Sequence, residues 1–142
     1  MRSRMTRRKS GLVEFEDDLG EVVRYMRHAN GGGLVSPAAR VHEGAWLAET
    51  SYVEAGAVVH DGARVGPGSW VDVDVVLGAG AVVDRNVHLG RGTRVGARAR
   101  IGSGARLGEF VVVEPRARVG ADDVVRDGTT ITRGASAYGM AA

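Results

Sequence analysis

Two histidines, His42 and His60, are the residues of this sequence best placed to do chemistry. They are 18 residues apart, and each is followed directly by an acidic residue, Glu43 or Asp61. An imidazole takes up and releases protons near neutral pH, so a histidine beside a carboxylate suits a general base. The alternative is that two surface histidines lie in an acidic patch without any chemistry. His88 is a third candidate base.

Four arginines form a second candidate site. Arg98 and Arg116 are 18 residues apart, and so are Arg100 and Arg118. Guanidinium groups placed this close repel one another unless an anion or a carboxylate lies between them, and Glu114 is a nearby carboxylate. The cluster therefore indicates a phosphate or polyanion site. The alternative is a solvated surface in a chain that uses Arg almost exclusively in place of Lys.

An uninterrupted six-residue repeat must position these side chains. From Val35 to Ile131 every sixth residue is aliphatic, and the fifth position of each hexad is small or β-branched except at Asp123. The glycines of this region all fall in the second or fourth position, and the prolines all fall in the third. Residues two apart on a strand point to the same side, so the first and fifth positions face inward and the sixth faces outward.

The repeat predicts an all-β fold in which three hexads close one triangular coil of 18 residues. About 17 hexapeptides then make five to six coils of a parallel β-helix over residues 35–136. Residues 18 apart stack on adjacent coils, about 4.8 Å from one another. Tyr52, Trp70 and His88 therefore share one face, and an aromatic face of this kind indicates an interface with a subunit or partner.

The repeat resembles the bacterial transferase hexapeptide family. Each hexad begins with an aliphatic residue, favours Gly, Ala, Glu or Asp at the second position, and favours Ser, Thr, Ala or Val at the fifth. The resemblance implies a left-handed β-helix and a homo-oligomer, most often a trimer. The segment Gly32-Gly33-Leu34-Val35 is also similar to uncharacterised hexapeptide-repeat proteins of bacteria and phages.

Members of this family include acyltransferases, γ-class carbonic anhydrases and non-catalytic proteins. The resemblance implies that an acyltransferase would use a histidine to deprotonate the acceptor and would bind acyl-CoA between the coils of neighbouring subunits. A γ-class zinc site needs two histidines five residues apart, and no such pair occurs here. No metal site is therefore predicted.

The segments outside the repeat are predicted to be a tail and a cap. Residues 1–10 are basic and are expected to be disordered, either as a solvated tail or as an arm for nucleic acid or another polyanion. Residues 11–34 are expected to form a cap that comprises a short strand and a helix at about 19–29. Residues 137–142 are expected to be a C-terminal tail.

Composition excludes several classes of protein. The chain has no cysteine, so disulfides and thiol catalysis are excluded. No apolar run reaches the length of a membrane span and no secretory signal is recognisable, so a cytoplasmic protein is expected.

Residues 41–84 carry seven acids and one arginine, whereas residues 85–118 carry eight arginines and two acids. Charge blocks in series favour association between copies of the chain.

Two functions follow from these features. No loop interrupts the repeat and no long helix follows it, which favours a non-catalytic scaffold that self-associates through a flat face or its ends and needs no cofactor. The alternative is a trimeric O- or N-acyltransferase that uses acetyl-CoA or another acyl-CoA. In that case His60 or His42 is the base, and a group of arginines holds the CoA phosphates: Arg98, Arg100, Arg116 and Arg118.

Overall fold

The computed structural model describes the backbone of residues 4–9 and 12–134 and the side chains of residues 12–134. Every regular element in these ranges is a β-strand. The first three strands form an antiparallel meander: β1 (Arg4–Lys9), β2 (Leu12–Glu16) and β3 (Val22–Arg27). The tail predicted over residues 137–142 lies outside the described residues.

The strands of the repeat form three parallel sheets that wall a three-sided solenoid. Sheet A contains β4 (Leu34–Val35), β7 (Tyr52–Val53), β10 (Trp70–Val71), β13 (His88–Leu89), β16 (Arg106–Leu107) and β19 (Val124–Val125). Sheet B contains β5 (Arg40–Val41), β8 (Val58–Val59), β11 (Val76–Leu77), β14 (Arg94–Val95), β17 (Val112–Val113) and β20 (Thr130–Ile131). Sheet C contains β6 (Trp46–Leu47), β9 (Arg64–Val65), β12 (Val82–Val83), β15 (Arg100–Ile101) and β18 (Arg118–Val119).

The predicted 18-residue register is confirmed throughout the solenoid. Each strand pairs in parallel with the strand one coil later, as where Trp70 lies opposite His88 and Arg100 lies opposite Arg118. This parallel solenoid of about five turns is consistent with the left-handed β-helix that the resemblance implies. Outward side chains therefore form straight columns along the solenoid axis.

One continuous core fills the solenoid. Its members are the first- and fifth-position side chains of the hexads, and most of them, such as Leu47 and Leu77, are fully buried. Close packing of aliphatic side chains between the three walls is the main source of stability in a solenoid whose strands are only two residues long.

The helix predicted at about 19–29 is wrong, because this segment turns and returns as strand β3. Asp17 Oδ1 accepts hydrogen bonds from the backbone N–H groups of Leu19 and Glu21, both at 2.9 Å, and Gly20 has a φ of 81°. The Asp17 side chain therefore stabilises a hairpin turn and does not cap a helix. The β-branched and aromatic residues that follow suit a strand.

The N-terminal end also differs from the sequence-based expectation in two other ways. The predicted disordered tail covers Arg4–Lys9, which form strand β1 and pair with β2. A loop takes the place of the helix at the first coil: the Leu47 N–H donates to the Asn30 carbonyl, and His28 and Asn30 both donate to the Ala45 carbonyl. Strand β6, at the end of sheet C, thereby obtains hydrogen bonds that no preceding coil could supply.

Replacing Leu77 with alanine should test the importance of the core. Leu77 is fully buried in the middle of the solenoid, so Leu77→Ala should lower the free energy of unfolding by about 2–5 kcal/mol. Urea unfolding followed by circular dichroism measures the loss. Val124→Ala is the matched control, because Val124 is 67% exposed and its truncation should cost less than about 0.5 kcal/mol. Equal losses in the two variants would contradict a core-dominated fold.

Candidate active site

His88 and Asp72 form a histidine–carboxylate pair on the outer face of sheet A. His88 Nε2 lies 3.1 Å from Asp72 Oδ2. The His88 side chain is 30% exposed and that of Asp72 is 21% exposed, so the pair is half-buried. Partial burial strengthens the hydrogen bond between them and leaves the imidazole accessible to a ligand.

The 18-residue register explains why these two side chains meet. Trp70 lies directly opposite His88 on the neighbouring coil. Asp72 follows Trp70 by two residues, so it projects from the same side of the sheet. A residue therefore meets the side chain 16 positions later, diagonally across the coils. The hydrogen bond from Trp70 Nε1 to Glu54 Oε2, at 2.8 Å, follows the same diagonal.

The hydrogen bond to Asp72 fixes the tautomer of His88. An ionised carboxylate only accepts hydrogen bonds, so Nε2 must carry the proton that it donates. Nδ1 is then unprotonated in the neutral ring, and it has no hydrogen-bond partner among the residues that the structure describes. A base that is oriented by an acid and has a free second nitrogen is the arrangement that general-base catalysis requires.

Stacking on Trp70 fixes the plane of the His88 ring. The two ring centroids are 4.4 Å apart, and the planes are inclined by 17°. The indole is itself anchored through Glu54, which also accepts a hydrogen bond from the buried Tyr25 hydroxyl at 2.9 Å. The N-terminal meander thus helps to position the histidine, because Tyr25 belongs to β3.

A groove of about 630 Å³ opens beside His88 and Asp72. Its floor lacks side chains where Gly90 and Gly108 stack, and a Cβ at Gly90 would clash with the Gly108 carbonyl oxygen. The volume lies in the range typical of small-molecule sites, about 300–1,000 Å³. The charged side chains further along the groove include both signs: Arg91, Arg106, Arg126, Glu109 and Asp127.

The structure places the predicted catalytic histidines elsewhere, at the corner between sheets B and C. His42 Nδ1 accepts a hydrogen bond from the Gly44 N–H at 2.9 Å and lies 3.3 Å from Asp61 Oδ1. The side chains of His42 and Asp61 are 51% and 68% exposed. His60 is exposed, and its imidazole makes no hydrogen bond or ion pair with residues 12–134, although its backbone bonds to Leu77 and Ala63. Neither ring is held by a buried carboxylate.

The four predicted arginines come together, as the register requires. Arg98 and Arg116 occupy the corner between sheets B and C on consecutive coils, and Arg100 lies opposite Arg118 in sheet C. With Arg133 and Gly134 they line a cavity of about 540 Å³. No carboxylate of the described residues forms an ion pair with these arginines, and this includes Glu114.

The residues predicted as an interface form a continuous column on sheet A, but they also make contacts within the chain. Tyr52 packs edge-on against Tyr25 with ring centroids 5.4 Å apart, and Trp70 and His88 stack. All three column members are half-buried. An interface of Tyr52, Trp70 and His88 with a second chain stays a prediction.

Among residues 12–134, no three histidine or acidic side chains lie close enough together to hold a metal ion. The described ranges also contain no helix that could span a bilayer.

The sequence and the solenoid together define the class of protein. Residues 74–109 match the family described as bacterial transferase hexapeptide (six repeats). The chain is a hexapeptide-repeat protein with a β-solenoid fold, which confirms the resemblance seen in its sequence. A comparison with curated proteins gave no significant match.

Two solved structures from Caulobacter crescentus share this solenoid. PerB in complex with CoA and GDP-perosamine is 33% identical with a TM-score of 0.67, and the alignment covers 72% of this chain and 48% of that chain. A mutant of perosamine N-acetyltransferase, also in complex with CoA and GDP-perosamine, is 23% identical with a TM-score of 0.66. The alignment covers 72% of this chain and 50% of that chain. At this level of identity the likeness shows the fold alone. The chain therefore spans about half the length of these solved chains.

These similarities overturn the preference for a non-catalytic scaffold. PerB, the 33% identical chain that shares the solenoid, is in complex with CoA and GDP-perosamine, which favours the acyltransferase alternative over the scaffold. The absence of a loop in the repeat does not exclude a site, because stacked glycines such as Gly90 and Gly108 form a groove without any protruding loop.

Asp72 is the candidate residue that sequence reasoning missed. The 18-residue rule relates residues of the same column, and Asp72 and His88 belong to neighbouring columns. The sequence nevertheless contained the signal. Trp70 lies opposite His88, and Asp72, two positions after Trp70, projects from the same face of the sheet beside the His88 ring. Applying the 16-residue diagonal to every histidine would have singled out His88.

The tautomer of His88 can be measured directly. In the neutral ring Nε2 should be protonated and Nδ1 bare, because only a protonated Nε2 can donate to Asp72. Long-range proton–nitrogen NMR distinguishes the two nitrogens. Asp72→Ala should leave a mixture of tautomers, whereas Asp61→Ala, the control, should leave His88 unchanged. A ring protonated at Nδ1 in the unmodified chain would contradict the geometry.

Proposed function

We propose that this chain is an acyl-CoA-dependent acyltransferase domain that transfers an acyl group to a hydroxyl or an amine. The observation that carries the proposal is the half-buried His88–Asp72 pair beside a groove. The pair lies on a solenoid that is 33% identical to a CoA-bound chain with a TM-score of 0.67. Acetyl-CoA is the first acyl donor to test.

His88 is the proposed general base. Its Nδ1 accepts the proton of the acceptor hydroxyl or amine as the oxygen or nitrogen attacks the thioester carbonyl. A new C–O or C–N bond forms, the C–S bond breaks, and the departing CoA thiolate takes the proton from His88. Asp72 stabilises the imidazolium that exists between the two proton transfers and keeps the ring in the required tautomer.

The arginines of the groove are proposed to attract the phosphates of the donor. Arg91, Arg106 and Arg126 lie along the same groove as His88. The arginines that the sequence assigned to CoA phosphates, Arg98 and its three neighbours, lie instead at the corner between sheets B and C, away from sheet A. Within one chain, the groove arginines are therefore the better placed to hold a donor whose thioester reaches His88.

His60 is the second candidate base, because it is exposed and free to approach a substrate. It lacks the oriented carboxylate that His88 has, so we favour His88. A trimer, as the sequence resemblance implies, is part of the proposal and can be measured by sedimentation equilibrium.

Release of CoA from acetyl-CoA in the presence of amine and hydroxyl acceptors tests the proposal. Free thiol can be followed with a thiol reagent without background, because the chain has no cysteine. His88→Gln should lower kcat by about 10²–10⁴-fold, the usual contribution of a general base. Asp72→Asn should lower kcat less, with little change in KM.

His60→Gln and His42→Gln are the comparison variants, and both should retain turnover close to that of the unmodified chain. Circular dichroism confirms that each variant is folded. A large loss of kcat in His60→Gln together with full activity in His88→Gln would place the active site at the corner between sheets B and C. Equal thiol release with and without the protein, across the whole acceptor panel, would count against an acyltransferase.

A further inference from the structure

The corner between sheets B and C carries the densest positive charge of the described residues. Arg98 and Arg116 project from one corner on consecutive coils, and Arg100 and Arg118 project from the adjoining strands. Arg133 joins them on the last coil that the structure describes, and together they surround a cavity of about 540 Å³. All five side chains are exposed, so a ligand can reach them from solvent.

These arginines are not neutralised within the described part of the chain. No carboxylate of residues 12–134 forms an ion pair with any of them. Consecutive coils are only about 4.8 Å apart, so the stacked guanidinium groups repel one another. An anion bound between them would remove this repulsion and could accept paired hydrogen bonds from each guanidinium.

The backbone at this corner adopts a conformation that glycine accommodates without strain. Arg98 and Arg116 have φ angles of 61° and 65°, and Gly62, Gly80 and Gly134 also have positive φ at the same corner of other coils. Asp74 and Phe110 share this conformation at other corners, so it belongs to the solenoid and is not special to the arginines. It follows that glycine can replace Arg98 and Arg116 without disturbing the backbone.

We propose that this arginine cluster, defined as Arg98, Arg100, Arg116, Arg118 and Arg133, is a binding site for a small ligand that carries two linked phosphate groups, such as a nucleoside diphosphate. Two linked phosphates carry more negative charge and span a greater distance than a single phosphate, so they can engage more of these guanidinium groups at once. The site is separate from the groove beside His88, because the two lie on different sides of the solenoid.

A long polyanion fits this corner less well than a compact one. Along the same edge, towards the N-terminal coils, the corner positions give way to Gly80 and then to the acidic residues Asp61 and Glu43, and Arg64 is the one cation that continues the column of Arg100 within the described residues. A nucleic-acid strand that followed the edge would approach those carboxylates, whereas a diphosphate would be confined to the basic coils.

Isothermal titration of the full chain with inorganic pyrophosphate tests the site. The key variant is Arg98→Gly combined with Arg116→Gly, because glycine relieves the positive φ while it removes two guanidinium groups. This double variant should be at least as stable to urea as the unmodified chain, and its affinity for pyrophosphate should fall by at least about tenfold. Orthophosphate should bind the unmodified chain more weakly than pyrophosphate.

Two further variants complete the design. Arg94→Gln is the matched control, because Arg94 is an exposed arginine on sheet B outside both sites, and its affinity for pyrophosphate should be unchanged. Arg106→Gln alters the groove beside His88, whose arginines are proposed to hold the CoA phosphates, so it separates any pyrophosphate bound in that groove from pyrophosphate bound at the arginine cluster. Because this measurement does not depend on acyl transfer, its failure and the failure of the acyltransferase proposal are distinguishable.

Four results would overturn the site. The first is no heat of binding with millimolar pyrophosphate. The second is equal affinity in the double glycine variant and the unmodified chain. The third is loss of binding in Arg106→Gln with retention in the double glycine variant. The fourth is an oligothymidylate that binds through the same arginines more tightly than pyrophosphate, which would identify a nucleic-acid surface.

Discussion

The parallel stacking of every residue on the one 18 positions later is the constraint on which the rest of this structure depends. Strands of two residues cannot be stable alone, and they persist because each obtains backbone hydrogen bonds from the coils before and after it. The same register aligns inward aliphatic side chains into one core and outward side chains into columns. The chemistry that this molecule can perform therefore depends on which side chains neighbouring columns bring together.

Two neighbouring columns produce the candidate active site. The column of Tyr52, Trp70 and His88 supplies the imidazole and the indole on which it stacks. The adjacent column supplies Glu54 and Asp72, whose carboxylates bind Trp70 and His88 respectively, and then glycines that hollow the groove. The transition from carboxylates to glycines within one column places a base at the edge of a ligand-sized depression. A rigid solenoid can thus position catalytic groups without a loop.

The periodicity of the sequence predicted the solenoid, the buried positions and the stacking of Arg100 on Arg118, because a fixed register leaves no freedom in those contacts. It did not predict the N-terminal hairpin. There the spacing of Val22, Val23 and Met26 suits a helix as well as a strand. The Asp17 side chain stabilises a turn before them by accepting two backbone hydrogen bonds, and the segment continues as a strand. The pairing of His88 with Asp72 was also missed, since it depends on side-chain reach between columns and not on the repeat itself.

If His88, held by Asp72, is the general base, an acyl-CoA bound in the groove on sheet A must present its thioester to the imidazole. A crystal structure of the chain with CoA would reveal this directly. The CoA sulfur atom should lie beside the His88 imidazole, with the phosphates towards Arg106 and Arg126. A well-ordered CoA whose sulfur atom lies at the corner of His42 and His60, away from His88, would contradict it.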